Sequence, residues 1–474
     1  MRHRSRIGST NALLALLIGL LGCDNEVAGG GAVVTQIAIG PGITCALRSS
    51  SAARDGGVDG AVAMDAGTDS AVADAGEDAG GEDAGTLDAG AMDAGVDAGV
   101  DSGFDAGAPD AGVDAGSLAG SIPLGAGGLV LDVPPDRLSC WFVNGTPQIS
   151  DVSPVEGRLA LGDPTCVVSS AGRLQCLGPN GNGQLGNGTV DLGTETLTPV
   201  SIGQVASVET SRFGPSGGGD GSPFDPGGGA NTMGFACAID TTGEVLCWGA
   251  GERGQIGNGT AMDVSVPQRT GVSAAQLAIG GAHVCAITPE GTVSCWGAGE
   301  RGQLGDGTSV DRSIPTPVVE VEGFESPVQL ALGQWHSCVL TAAGEVWCWG
   351  GNDAGQLGDT SVIDQAVPVQ TNLSMLSSPL ALLVAGGAHT CALTVAGEVA
   401  CWGANANGQL GISGEVVQPT LLESLPGAAS ALAAGLNHTC AIVGGEVFCW
   451  GFGASLGLGA GTLDTLTPTQ VSVN

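Results

Sequence analysis

Cys391-Ala-Leu-Thr-Val-Ala-Gly397-Glu-Val-Ala-Cys401 is the stretch on which the fold turns. Folded about Ala396, it sets Thr394 opposite Glu398, Leu393 opposite Val399 and Cys391 opposite Cys401, a hairpin closed by three residues. The last of the three is Gly397, where such a loop needs a left-handed backbone that glycine adopts at little steric cost. The arrangement recurs in four other pairs: Cys166 with Cys176, Cys237 with Cys247, Cys285 with Cys295, and Cys338 with Cys348. Gly172, Gly243, Gly291 and Gly344 stand in their glycine position. The pair Cys440 and Cys449 is one residue shorter, and its two-residue loop, Gly444-Gly445, keeps the cysteines opposed. Cys45 and Cys140 are the same pair with a long insertion between its members, and Cys23 alone is left over.

Directly opposed residues of an antiparallel pair have Cα atoms about 4.5–5.5 Å apart, within reach of a disulfide. Six local cross-strand disulfides plus Cys45–Cys140 are therefore expected. Each eleven-residue loop is worth at most about 3 kcal/mol in the chain-entropy account. Fourteen free thiols packed as small apolar groups would suit a reducing cytosol instead, and zinc is weaker still, since C-x9-C matches no common ligand spacing.

The amino end argues for export. Arg2, Arg4 and Arg6 precede an apolar run from Ala12 to Leu21, too short to span a bilayer but right for a signal-peptide core. It ends in Leu20-Leu21-Gly22-Cys23, which looks like a bacterial lipoprotein signal: residues 1–22 removed, Cys23 acylated, and 23–33 a short tether. Ordinary secretion is the other reading. Lipid on Cys23 would anchor the protein in the bacterial cell envelope without a transmembrane helix, with the outer membrane or cell surface favoured over the inner membrane despite Asp24.

The chain has no lysine or tyrosine and a net charge of −35. That balance argues against nucleic-acid binding, which needs basic patches to displace counterions. Residues 50–120 hold sixteen Asp/Glu against Arg54, in an Asp-Ala-Gly motif recurring from Asp65 to Asp114. With almost nothing large and apolar to bury, 49–135 reads as a disordered, extended insertion replacing one hairpin tip. It lacks the denser glycine–aspartate pattern of calcium β-rolls.

Around each cysteine pair lies a longer unit: an apolar strand such as Gln276-Leu-Ala-Ile-Gly280, the hairpin, Trp-Gly, a glycine-rich loop, and a strand such as Ala366-Val-Pro-Val-Gln370. Four short strands recurring about every 50 residues describe a propeller blade. The fold class expected is all-β, a seven-bladed β-propeller over 34–474 with the long disordered insertion in the first blade.

The unit resembles the regulator-of-chromosome-condensation repeat, in an exported, cysteine-paired version. The likeness is carried by Gly-Ala-His389-Thr-Cys-Ala-Leu, Gly397-Glu-Val-Ala-Cys-Trp402-Gly and Asn405-Ala-Asn-Gly-Gln409-Leu-Gly411. Gly-Gln-Leu-Gly or Gly-Gln-Ile-Gly returns around Gln184, Gln255, Gln303 and Gln356, while the first and last units depart from it. The resemblance implies seven blades. The family's founder is a nucleotide-exchange factor that also binds chromatin, and secreted bacterial propellers of this repeat inhibit β-lactamases through loops on one face.

His283, His336, His389 and His438 each precede a first cysteine by two residues. As a ring of metal ligands they would stand too far apart to share an ion at about 2 Å, so hydrogen bonding at a strand start is expected. Trp141, Trp248, Trp296, Trp349, Trp402 and Trp450 should pack between blades, and the repeat glutamines should bond turn backbone. No metal, cofactor or catalytic constellation is expected.

Loops after the first and third strands of a blade emerge together. That face collects the histidine turns, the Gly-Gln-Leu-Gly loops and an insertion, Ser211–Met233, containing Arg212, Phe213 and Phe224. Arg253, Arg301, Trp335 and Phe452 should join them as candidate anchors, although an ordinary flexible loop also accounts for the insertion. The reading is a monomeric envelope lipoprotein, membrane-held by its lipid only, that binds a protein or other envelope macromolecule through this face. A hydrolase or lyase at the channel and a purely structural envelope component are the alternatives.

Overall fold

The computed structural model describes residues 33–40, 43–49, 138–142, 157–211, 234–414, 416–453 and 464–471. The signal, Cys23, the tether, nearly all of the Asp-Ala-Gly insertion and the anchors Arg212, Phe213 and Phe224 lie outside them. The described residues form seven antiparallel sheets and no α-helix. The first sheet, 33–142, has three strands; the second (157–199), third (205–273), fourth (276–317), fifth (327–370), sixth (380–421) and seventh (429–471) have four each.

Each four-stranded sheet is a simple meander. In the fourth it runs Gln276–Ile279, His283–Ile287, Val293–Gly297 and Arg312–Pro317. The hairpin register is the expected one throughout: Cys391 pairs with Cys401, Leu393 with Val399 and, across the glycine pair, Val443 with Glu446. Gly397 has φ of 84°, and Gly444 and Gly445 have 61° and 85°, so both loop lengths use the left-handed region.

Disulfides bridge the opposed cysteines in all six local pairs. Cys166 is joined to Cys176 in the second sheet, Cys237 to Cys247 in the third and Cys285 to Cys295 in the fourth. Cys338 is joined to Cys348 in the fifth, Cys391 to Cys401 in the sixth and Cys440 to Cys449 in the seventh. Their Cα–Cα distances of 4.0–4.2 Å are shorter than the spacing expected of an average opposed pair. In the first sheet, Cys45 and Cys140 oppose each other in backbone register.

The core lies between sheets, which explains why the middle strands are apolar on both faces. Val284 and Ala286 face the third-sheet side with Phe235, Cys237 and Trp296, while Cys285 and Ile287 face the fifth with Leu330 and Trp349. Equivalent clusters join the second to the third sheet, the fifth to the sixth and the sixth to the seventh. Ile37 of the first sheet is buried against Cys440, Ile442, Val447 and Cys449 of the seventh.

The fourth strands form the outer edges and are managed against sticking. All six carry a proline, at Pro199, Pro267, Pro315, Pro368, Pro419 and Pro468, which removes a ladder donor from an edge. Exposed edge carbonyls are covered by the preceding sheet's loop. Gly188 N–H donates to Ser265 O at 2.8 Å, Gly259 N–H to Ser313 O at 2.7 Å, and Gly307 N–H to Ala366 O at 2.9 Å.

Candidate binding face

The turns between first and second strands and the loops between third and fourth strands come together at one end of the sheets, as the meander requires. Within a turn, the histidine ring lies over the glycine three residues earlier: a Cβ on Gly333 would overlap both His336 and the Gly386 carbonyl oxygen of the next sheet. His283 Nε2 meets Ser337 Oγ at 2.8 Å, His336 meets Thr390 Oγ1 at 3.0 Å, and His389 meets Thr439 Oγ1 at 2.9 Å. Each hydroxyl already donates to a loop glutamine's carbonyl, of Gln303, Gln356 and Gln409 respectively, at 2.9–3.0 Å. The hydroxyls must therefore accept from Nε2–H, which assigns the neutral tautomer with Nδ1 unprotonated.

Burial disfavours the imidazolium in every case. His283, His336 and His389 are pushed down to about 3 and His438 to about 4. Desolvation dominates in each; Asp353 opposes it weakly at His336, and neighbouring histidines reinforce it at His283 and His389. Among the described residues no His/Cys/Asp/Glu group could hold a metal ion. His283, His336 and His389 act as rivets between sheets.

The glutamine loops serve the same seams. Each glutamine carboxamide oxygen accepts the backbone N–H two residues earlier, as at Arg301 (2.9 Å) and Asn407 (3.0 Å), which locks the turn. The glutamine's own carbonyl receives the tryptophan of the following sheet, at 2.9–3.1 Å for Trp248, Trp296, Trp349, Trp402 and Trp450. These five tryptophans are fully buried between sheets, as expected.

Arg253 and Arg301 sit on this face, and their guanidiniums span seams. Arg253 bonds Asp311 of the next sheet at 2.6 Å and Glu300 at 2.9 Å; Arg301 bonds Asp364 at 2.7 Å and Asp353 at 3.3 Å. Each aspartate also accepts a backbone N–H of its own sheet, Gly299 to Asp311 and Asn352 to Asp364, both at 2.8 Å. Asn182–Asp263 (2.7 Å) and Asn407–Asp464 (2.8 Å) repeat the device. Burial raises the Asp311 carboxyl, but Arg253 and the Gly299 N–H outweigh it; Arg301 above all holds Asp364 below the usual carboxylate range. At the fifth–sixth seam Ala354 replaces the clasp residue, and the loop shortens: ten residues separate Gly358 from Pro368, eight Gly411 from Pro419.

Trp335 is half-buried, and its carbonyl accepts Gly351 N–H at 2.7 Å. A Cβ on Gly351 would lie 3.1 Å from Trp335 Cβ and 3.2 Å from Arg301 Nε, so these two candidates flank one bare backbone notch. Phe452, also half-buried, stands in the seventh sheet where Gly351 stands in the fifth, its N–H bonding Asn437 O at 2.8 Å. The clasp aspartates escape a motif search because lone aspartates are common on surfaces. Their signal is an Asp twelve residues after Gly251, Gly299 and Asn352 in successive units. Asp163 carries no such signal. It lies in the second-sheet turn, its N–H bonded to Ser211 O, and burial pushes its carboxyl up to about 6 against a weak bond from Gln184.

A family model described as RCC1-like domain matches residues 147–474. The probable E3 ubiquitin-protein ligase HERC4 of Homo sapiens is 43% identical over 100 residues, covering 21% of this chain and 10% of that protein. The ultraviolet-B receptor UVR8 of Arabidopsis thaliana is 29% identical over 276 residues, covering 56% of this chain and 58% of the receptor. The chain thus spans less than two thirds of these relatives' length. Among solved structures, Prp20p of Saccharomyces cerevisiae, described with its binding to Gsp1p and histones, superposes with a TM-score of 0.55 at 22% identity. That match covers 69% of this chain and 80% of Prp20p. Yeast RCC1 (Prp20) bound by Kap60 gives a TM-score of 0.57 at 20% identity, covering 77% and 91%. These likenesses establish the propeller fold.

Proposed function

We propose, from the premise that this chain belongs to the family of RCC1-like domains, that it is a protein-binding module acting through its loop face. The observation that carries this is the concentration on one end of the sheets of loops tied rigidly across seams, around a half-exposed Trp335 and Phe452. Pre-ordered loops bearing aromatic anchors lose little entropy on binding. Family members with described partners, such as Prp20p with Gsp1p and Kap60, bind proteins, which supports the class of partner and names none for this chain.

The ring is seven-bladed in this reading, with the three-stranded first sheet standing beside the seventh. Burial of Ile37 against the seventh sheet supports that closure. Ile37→Ala is expected to cost about 2–5 kcal/mol, read from the urea midpoint; a variant as stable as its parent removes the first sheet from the ring. The Leu20-Leu21-Gly22-Cys23 run supports placing the propeller outside the cytosol, lipid-anchored in a bacterial envelope by Cys23. Buried disulfides fit an oxidising compartment.

The test is affinity capture from envelope and secreted fractions with the full oxidised chain, beside a Trp335→Ala, Phe452→Ala double variant and a variant lacking 213–232. A partner held by the parent and reduced at least about tenfold by the double variant, a loss of roughly 1.4 kcal/mol, supports the face. Equal capture by all three moves the function elsewhere on the chain.

A further inference from the structure

Met262, Val310 and Ile363 are 63%, 56% and 67% exposed. Single exposed apolar residues are ordinary on any surface. These three, however, occupy one repeat position in three consecutive sheets, each immediately before a clasp aspartate: Asp263, Asp311 and Asp364. Those aspartates are held from two sides, by a backbone N–H of their own sheet and by Asn182, Arg253 or Arg301 of the preceding one. The apolar side chains are thus presented outward from a fixed base, with no neighbouring described element covering them.

Charge around the row is one-sided. The segments 252–263, 300–312 and 353–364 carry eight carboxylates and three arginines. All three arginines are engaged: Arg253 and Arg301 as above, and Arg312 with Asp306 at 2.7 Å. One residue before each clasp position, in register, stand Glu252, Glu300 and Asp353; the Glu300 and Asp353 side chains are 51% and 67% exposed. Three arginines leave the eight carboxylates in net excess by five, and apolar groups set in that net negative charge disfavour an anionic bilayer and nucleic acid alike and complement a surface carrying both apolar side chains and positive charge.

We propose that the rim of the third to fifth sheets is a docking strip for a cationic, amphipathic segment of a protein partner. The apolar residues of that segment would cover Met262, Val310 and Ile363, and its lysines or arginines would meet Glu252, Glu300 and Asp353. This rests on the reading of the loop face as a binding surface and specifies its partner. The strip ends where the repeat changes, since the sixth sheet has Ala406 in place of the acid and a shortened loop.

The probe is a fluorescent synthetic peptide alternating lysine and leucine, with a lysine/serine peptide of equal length and charge as control, measured by anisotropy at physiological salt with the full chain. The lysine/leucine peptide should bind at least about tenfold more tightly than the control. Met262→Ser, Val310→Ser, Ile363→Ser should remove most of that difference, with an unchanged thermal midpoint, since net charge is untouched. If the triple variant does not fold, Ile363→Ser alone should weaken binding at least about threefold. Equal binding of both peptides, or parental affinity in the rim variants, overturns the inference. Loss with Trp335→Ala, Phe452→Ala but not with the rim variants would overturn the strip and leave the face reading standing.

Discussion

Acidification from pH 7 to about 4.5 is expected to unfold this protein, with a net uptake of about three protons on unfolding. The four buried histidines stay neutral down to about 3 or 4 when folded, whereas unfolded imidazoles protonate near about 6.5. Between those values the unfolded chain holds protons that the folded chain refuses, so stability falls as pH falls below about 6.5 and is flat above about 7. At pH 5 each histidine removes about 2 kcal/mol, and four together rival the about 5–15 kcal/mol stability of a typical domain. Asp163 works the other way: its folded carboxyl titrates near about 6, so it holds a proton that unfolding releases and offsets about one histidine. Urea midpoints across pH 5 to 7 measure the slope, and a pH-independent midpoint would sink the idea. The chain itself supplies the sharper control. Phe235 and Val284 stand where His336 and Thr390 do, and share one apolar cluster. His336→Phe with Thr390→Val should therefore fold and lower the proton uptake by about one.

Trp349→Ala is expected to cost about 3–5 kcal/mol, the usual range for emptying a buried aromatic site. Trp349 is fully buried between the fourth and fifth sheets with Leu304, Leu330 and Val339, in edge contact with Phe324. Gly305 lies so close to the indole that a Cβ there would overlap it, so the surroundings cannot collapse freely into the space. Trp349→Phe should cost much less, about 1–2 kcal/mol. The lost indole donor leaves no orphan, because the Gln303 carbonyl keeps Ser337 Oγ–H at 2.9 Å. Equilibrium urea unfolding of both variants checks the ranking. Equal losses in the two would mean that the hydrogen bond rather than the ring volume holds the seam.

The hairpins are legible in the sequence because every determinant is local. Cysteine spacing, loop length and one left-handed glycine set the register, and Cys391 opposite Cys401 follows from eleven consecutive residues. The same reasoning places Cys176, Cys247, Cys295 and Cys348 across from their partners, and each is found there. The glutamine turns are legible for the same reason, since Gln303 bonds a backbone N–H two residues away. The seams are less so. His336 and Thr390 are 54 residues apart, and their pairing shows in sequence only when one unit is written above the next. Arg253 and Arg301 illustrate the limit: an arginine on an exposed loop reads as a binding anchor, and the structure spends both on neighbouring sheets. The exposed apolar row escapes notice because Met262, Val310 and Ile363 look like ordinary loop residues until the aspartate beside each is seen to be fixed.

The four-strand unit, its hairpin register, the cysteine pairing and the family likeness can all be read from the chain alone, since they depend on contacts within about fifty residues and on periodicity that a chain displays directly. Packing of one sheet on the next settles which polar groups are used up between sheets and which remain for a partner. That depends on a hydroxyl, carbonyl or carboxylate contributed by the next repeat, and on whether burial leaves an imidazole neutral, neither of which a residue's own neighbours can specify.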